Sequence, residues 1–304
     1  MAQSFKELKR TTAKQLDRLR SIMRPNLGSH KRTKLKKAGC GKSRSLLHND
    51  VAKRHATLLF TDYQKKLGKL TRYVVQERLR FLTVLHSVVG LNRKDVMRAV
   101  SRMEAAFHLA FDGSGAWLLG AVEVEVVNIA LLRRIGSLSE DETRKLDVLE
   151  KISDIKSSDN APWDSGVLVH FHGIVDLGLN SLLREEQLRH KIKKISVWQR
   201  SPYQVELKKL FKDHTVAKNL HDIASYITKG GNDQLRYNAG FGRDLVDDLD
   251  AKMWRAGVGR ADQGAETIAD ERGLTIGEIK FMDDIWCALM ARKRNKRGYL
   301  VRCG

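Results

Sequence analysis

From residue 47 to about 110 the apolar positions recur at helical spacing. Val74, Val75, Leu79, Leu82 and Leu85 form one run that breaks at Leu91-Asn92, and Val96, Met97, Val100, Met103 and Phe107 form a second. The turn residues Asp112-Gly113-Ser114-Gly115 follow, and the period then changes to two. Residues 117 to 128 read as a strand, with Val122, Val124 and Val126 on one face and Glu123 and Glu125 on the other. An edge strand with one wet face gives the same alternation. The polar stretch from 131 to 165 is expected to be a helix followed by a loop. Residues 167 to 176 form a second strand, placing Leu168, His170, His172 and Ile174 on one face and Val167, Val169, Phe171 and Val175 on the other. Both faces are otherwise apolar, as in a central strand covered on each side.

Downstream, a basic helix is expected over 181 to 193 and a strand over 203 to 210. Val216, Leu220, Ile223 and Ile227 define an amphipathic helix that Gly230-Gly231 ends. Residues 232 to 273 read as loops around a short helix at 245 to 254. A last helix buries Ile276, Ile279, Met282, Ile285 and Leu289 and runs into a basic end. The pattern predicts an α+β protein: an antiparallel sheet with flanking helices, plus helical additions at both ends. Its expected divisions are a basic arm at 1–46, a helical segment at 47–112, a sheet-bearing core at 113–245 and a C-terminal helical segment at 246–304.

Composition narrows the partners. The 304 residues are 42% hydrophobic, enough for a sizeable core, and 56 Lys and Arg against 36 acidic residues leave a formal net charge of +20. Such an excess points to a polyanion, nucleic acid ahead of an acidic membrane surface. Candidate phosphate contacts are Lys34, Lys36 and Lys37 in the arm, Lys208 and Lys209, and Arg292 and Arg294, although solvated basic faces account for the same residues. Cys40, Cys287 and Cys303 are scattered and odd in number, which excludes a disulfide framework or a C-x-x-C zinc site and fits a reducing cytoplasm. No run approaches the roughly 18 apolar residues of a membrane span, and the first residues lack the apolar core of a secretory signal. Gly41-Lys42-Ser43 is not a phosphate loop, because Lys36 stands where the motif needs glycine and no apolar strand precedes it.

Two histidines two apart on a strand point the same way, so each can offer a ring nitrogen to one divalent ion, with a carboxylate, water or substrate filling the remaining positions. Satisfied core histidines are the alternative. The carboxylate could be Glu123 or Glu125, with Asp176 a further residue on the histidine face. Tyr226 and Lys229 are three apart on a helix and therefore neighbours. A tyrosine at that boundary is either packing or, beside a metal-bearing strand, a nucleophile.

Taken together, His170-Phe171-His172 followed by Tyr226-Ile227-Thr228-Lys229 resembles the HUH endonucleases, the family of rolling-circle replication initiators, relaxases and related transposases. The resemblance covers roughly 115 to 231. It implies an RRM-like palm with His170, His172 and Glu123 or Glu125 holding Mg²⁺ or Mn²⁺, a catalytic Tyr226 assisted by Lys229, and site-specific nicking and joining of single-stranded DNA through a 5′-phosphotyrosine. The single tyrosine argues against the two-tyrosine replication enzymes, and the role expected from the resemblance is initiation of rolling-circle replication of a plasmid or phage on single-stranded or origin hairpin DNA. Without a Walker motif, unwinding and synthesis would fall to a host helicase and polymerase. A relaxase or transposase shares the chemistry. A non-enzymatic nucleic-acid-binding protein and a primase-like nucleotidyl transferase, for which Glu123 and Glu125 would serve two-metal chemistry, are the readings from other classes.

Overall fold

The computed structural model describes residues 49–67, 77–127, 129, 140–155, 166–228, 276–292 and 297–304. The basic arm, Lys229, Arg294 and the glycine-rich stretch after Lys229 lie outside them.

A five-stranded antiparallel sheet carries the fold, with β1 (Leu79–Val89), β2 (Trp117–Val127), β3 (Gly166–Asp176), β4 (Val205–Lys209) and β5 (Leu300–Cys303) in the order β4-β1-β3-β2-β5. β1 and β2 both run antiparallel to β3, so they are parallel to each other and need a crossover. Helix α1 (Asn49–Leu67) precedes β1, and α2 (Arg93–Phe111) supplies that crossover. After α3 (Glu140–Lys151) and β3, α4 (Ser181–Lys193) makes the matching crossover to β4, and α5 (Val216–Thr228) and α6 (Ile276–Ala291) follow.

The strand at Leu79–Val89 overturns the expected helix through Val74 to Leu85. Leu79, Leu82 and Leu85 have helical spacing, but β1 lies between β4 and β3 and is apolar towards both faces, so spacing alone does not separate the two states. The β-branched Thr83, Val84, Val88 and Val89 carry the strand preference. A bulge between Leu85 and Ser87, where two residues of β1 oppose Val169, shifts its phase. α2 to α6 and β2 to β4 form where their patterns place them. β5 lies in the C-terminal segment expected to be helical, and the helix expected at 245–254 falls outside the described residues. Val96, Val100, Met103 and Phe107 of α2 are buried, Asn92 caps that helix by accepting from the Lys94 amide, and Leu220 and Ile227 of α5 are buried.

One sheet face packs on α2. Phe171 points that way, its ring 4.4 Å from that of Phe107, which lies 5.0 Å from Trp198. Gly120 and Gly173, opposite each other on β2 and β3, make room for it: a Cβ on either would come within 2.4 Å and 2.6 Å of the Phe171 ring. Arg80 is buried on this face and pairs with Glu185 of α4 at 2.7 Å. A smaller core of Val88, Val127, Val148, Leu149, Ile152 and Leu168 seats α3 against one end of the other face. The rest of that face lies under α5, which packs in turn on α1. β2 has β3 and β5 on its flanks and is not an edge.

His86 sits at the bulge, buried in a strand rather than on a helix face. The Trp198 indole donates to its Nδ1 at 3.1 Å, and the Gln204 amide donates to its carbonyl. Burial, and less so Arg102, lower its pKa to about 4. His55, 2.6 Å from the Tyr299 hydroxyl, is also lowered to about 4, by burial and then Arg297. Both rings are neutral when folded, whereas in the unfolded chain they take up protons below about pH 6.5. Stability is therefore expected to be full above pH 6.5 and to decline towards pH 4, by at most roughly 3 kcal/mol per histidine. Urea unfolding at pH 7 and pH 5 checks this: a lower midpoint at pH 5 that becomes shallower in His86→Gln is the expected result, and equal midpoints would refute it.

Candidate metal centre and tyrosine

β3 places His170 and His172 on the face under α5, and strand register supplies their neighbours. His170 lies opposite Glu123 of β2 and Leu85 of β1, while His172 lies opposite Ala121 and Thr83. Cross-strand partners on one face stand about 5 Å apart, so the pairing alone brings an imidazole and a carboxylate together. Glu123, His170 and His172 are all buried, and one ligand atom from each lies within 4.8 Å of the others. Two imidazoles and a carboxylate are a donor set suited to a divalent cation, so these residues could hold one.

The side chains form a line. Thr83 Oγ1 is 3.0 Å from His172 Nδ1, and His172 Nε2 is 3.1 Å from His170 Nδ1. His170 Nε2 then faces Glu123 at 3.6 Å and Glu125 at 3.8 Å. The two carboxylates that the sequence left equivalent differ here. Glu123 is 0% exposed and belongs to the cluster, whereas Glu125 approaches from a side chain 31% exposed. Asp176 is committed elsewhere: Arg78 holds both its carboxylate oxygens, and it accepts from the Gly178 amide at 2.8 Å. Four strand residues, roughly 13 Å, separate it from His172.

Tyr226 comes to the cluster from α5. Its ring meets that of His172 edge-on at 5.1 Å and that of Phe81 at 6.4 Å, and Phe81 stacks parallel to His172 at 5.6 Å. The residue is 42% exposed, so it borders solvent while its ring touches the cluster. Burial, then the charges of Glu123 and Glu125, push its pKa up to about 12. A cation among those carboxylates would oppose that charge effect.

Of the expected phosphate contacts, Lys208 and Lys209 are exposed on the edge strand β4, with Lys208 2.7 Å from Glu206. Arg292 instead pairs with Glu104, tying the end of α6 to α2. Lys34, Lys36, Lys37, Lys229 and Arg294 fall outside the described residues. Thr83 and Phe81 escaped the sequence reading because β1 read as a helix; its run of β-branched residues was the available signal.

Thr83 has a checkable part. An outer hydrogen bond fixes an imidazole's tautomer and orientation, and losing one typically lowers metal affinity by about 10–100-fold. Thr83→Val is expected to weaken Mn²⁺ binding in a calorimetric titration by about tenfold, and Thr83→Ser to retain it. Equal affinities for the valine variant and the wild type would make Thr83 a packing residue only.

Comparison of the chain with protein-family models, with curated proteins and with solved structures finds no match. Among the described residues no helix is long and apolar enough to cross a membrane.

Proposed function

We propose that this chain nicks and joins single-stranded DNA through a covalent tyrosine intermediate, in the manner of an HUH replication initiator of a plasmid or phage. The observation that carries the reading is the Tyr226 ring set against His172 in a Glu123-His170-His172 cluster, although Tyr226 lies fifty-four positions beyond His172 in the sequence. Supporting it, the strand order β4-β1-β3-β2 with crossover helices α2 and α4 is compatible with the RRM-like palm that the resemblance implies, α3 being an additional helix between β2 and β3. The histidines occupy its central strand.

In the proposed reaction the Tyr226 oxygen attacks phosphorus, the bond from phosphorus to the 3′ oxygen breaks, and the 5′ phosphate stays on the tyrosine. The phenolic proton is given up, and the 3′ oxygen takes one to become a hydroxyl able to prime synthesis. Attack by that hydroxyl reverses the step, so the bond energy is retained for joining. A bound divalent cation supplies Lewis acidity towards a nonbridging phosphate oxygen. The chain's own contribution is orientation: β3 and β2 fix the imidazoles and carboxylate, and α5 holds the tyrosine beside them.

The test is incubation of the protein with single-stranded origin oligonucleotides and Mn²⁺ or Mg²⁺. A denaturation-resistant protein–DNA adduct that EDTA prevents, together with a released strand ending in a 3′ hydroxyl, is expected. Salt-sensitive binding with no metal-dependent cleavage would instead favour a non-enzymatic binding protein.

A further inference from the structure

Beyond the end of β4 the chain presents an aromatic ring to solvent from a fixed backbone. Phe211 is 74% exposed, yet its amide donates to the Asn219 side-chain oxygen at 3.2 Å and its carbonyl accepts from the Asn219 side-chain nitrogen at 2.9 Å. Asn219 is 1% exposed and also donates to the Thr215 carbonyl at 3.3 Å, so it is itself anchored in the first turn of α5. Most of the phenylalanine surface meets water, which is unfavourable for an apolar ring, while the two-sided backbone clamp holds the chain that carries it. A second flat ring, His214, stands 5.5 Å from it.

Position relates this ring to the tyrosine. Asn219 and Tyr226 are seven residues apart on α5, two helical turns, so they share one side of the helix about 10 Å apart along its axis. That is roughly three steps of a stacked strand at about 3.4 Å each. Exposed Lys212 and Lys218 neighbour Phe211 and Asn219 in the chain, and exposed Lys208 lies opposite Phe81 in the strand register, on the sheet face of His172, whose own row ends at Glu206. Of the carboxylates nearby, Glu206 pairs with Lys208 and Asp222 lies 3.6 Å from His214 and 3.5 Å from His221, while Asp213 is exposed between Lys212 and His214. What the patch offers is a π face with lysines around it. Bases of a single strand stack on such rings whatever their sequence, while lysines follow the phosphates.

We infer that Phe211, with His214 beside it, is a stacking platform for a base of single-stranded nucleic acid a few nucleotides from the scissile phosphate. This rests on the proposed reading of the Tyr226 site for its place in the reaction, but the binding itself does not require cleavage. On this assignment α5 carries both ends of the track, clamping the platform with Asn219 and presenting the nucleophile with Tyr226. It also gives the strand a direction across the sheet, towards the β4 edge.

Binding of a fluorescently labelled oligothymidylate, read by anisotropy in EDTA so that no cleavage intervenes, tests the inference. Phe211→Ala is expected to weaken binding by about tenfold while leaving the circular dichroism and urea midpoint of the protein unchanged. Phe211→Trp should retain affinity and add an emission that the bound oligonucleotide quenches. Equal affinity of Phe211→Ala and wild type, absence of quenching, or a wild-type protein that does not bind the single strand would each overturn it. The two readings separate in the same experiments: an Mn²⁺-dependent adduct with affinity unaffected by Phe211→Ala sinks the platform alone. Phe211-dependent binding with no adduct formed sinks the nuclease and leaves the platform.

Discussion

Replacing Tyr226 by phenylalanine is expected to lower covalent capture and strand cleavage by about 10³-fold or more, the scale seen when an enzyme loses its nucleophile. The substitution removes one oxygen and keeps the ring, so the edge-on contact with His172 and the contact with Phe81 persist. Folding, Mn²⁺ affinity and single-strand affinity should consequently stay near wild type. That separation is what distinguishes a nucleophile from a packing residue. A variant that cleaves normally would move the role to another tyrosine, with Tyr237 next in the chain, and one that loses Mn²⁺ affinity would make the hydroxyl part of the cation site.

The second large effect falls on Glu123. Its carboxylate is wholly buried, and the partly exposed Glu125 approaches the same His170 nitrogen, so a second carboxylate stands beside one that is out of water. Such an arrangement is costly without a cation and favourable with one. Glu123→Gln, of nearly the same shape, is expected to raise the melting temperature of the metal-free protein by about 2–4 °C, equivalent to about 1 kcal/mol. The wild type should gain about 2.7 kcal/mol from Mn²⁺ at a hundred times its Kd, and the variant should gain far less at that concentration. Thermal unfolding with and without Mn²⁺ reads both changes. A destabilised variant whose response to Mn²⁺ matches the wild type would assign Glu123 to the core and not to a cation.

The reach of the sequence can be seen residue by residue. β2 and β3 were legible because valines alternate with carboxylates in one and apolar residues flank the imidazoles in the other. α5 was legible because Leu220 and Ile227 mark its buried stripe. β1 was not, since a strand apolar towards both faces has no clean period and a bulge displaces its phase at His86. With β1 misread, Thr83 and Phe81 had no reason to be placed beside His172. The choice between Glu123 and Glu125 was likewise closed to a pattern that puts both on one face; strand register and depth separate them. The clamp of Asn219 on Phe211 depends on how a loop folds back on the first turn of its own helix, which no periodicity encodes.

Mass spectrometry of the protein after incubation with a single-stranded origin oligonucleotide and Mn²⁺ measures most directly whether the tyrosine and the metal cluster work as one centre. The expected result is a gain equal to the 5′-phosphorylated fragment less one water, mapped to the peptide bearing Tyr226 and missing in EDTA and in His172→Ala. Cleavage of the oligonucleotide with no mass gained, or a gain that persists without metal or maps to a different residue, would contradict it.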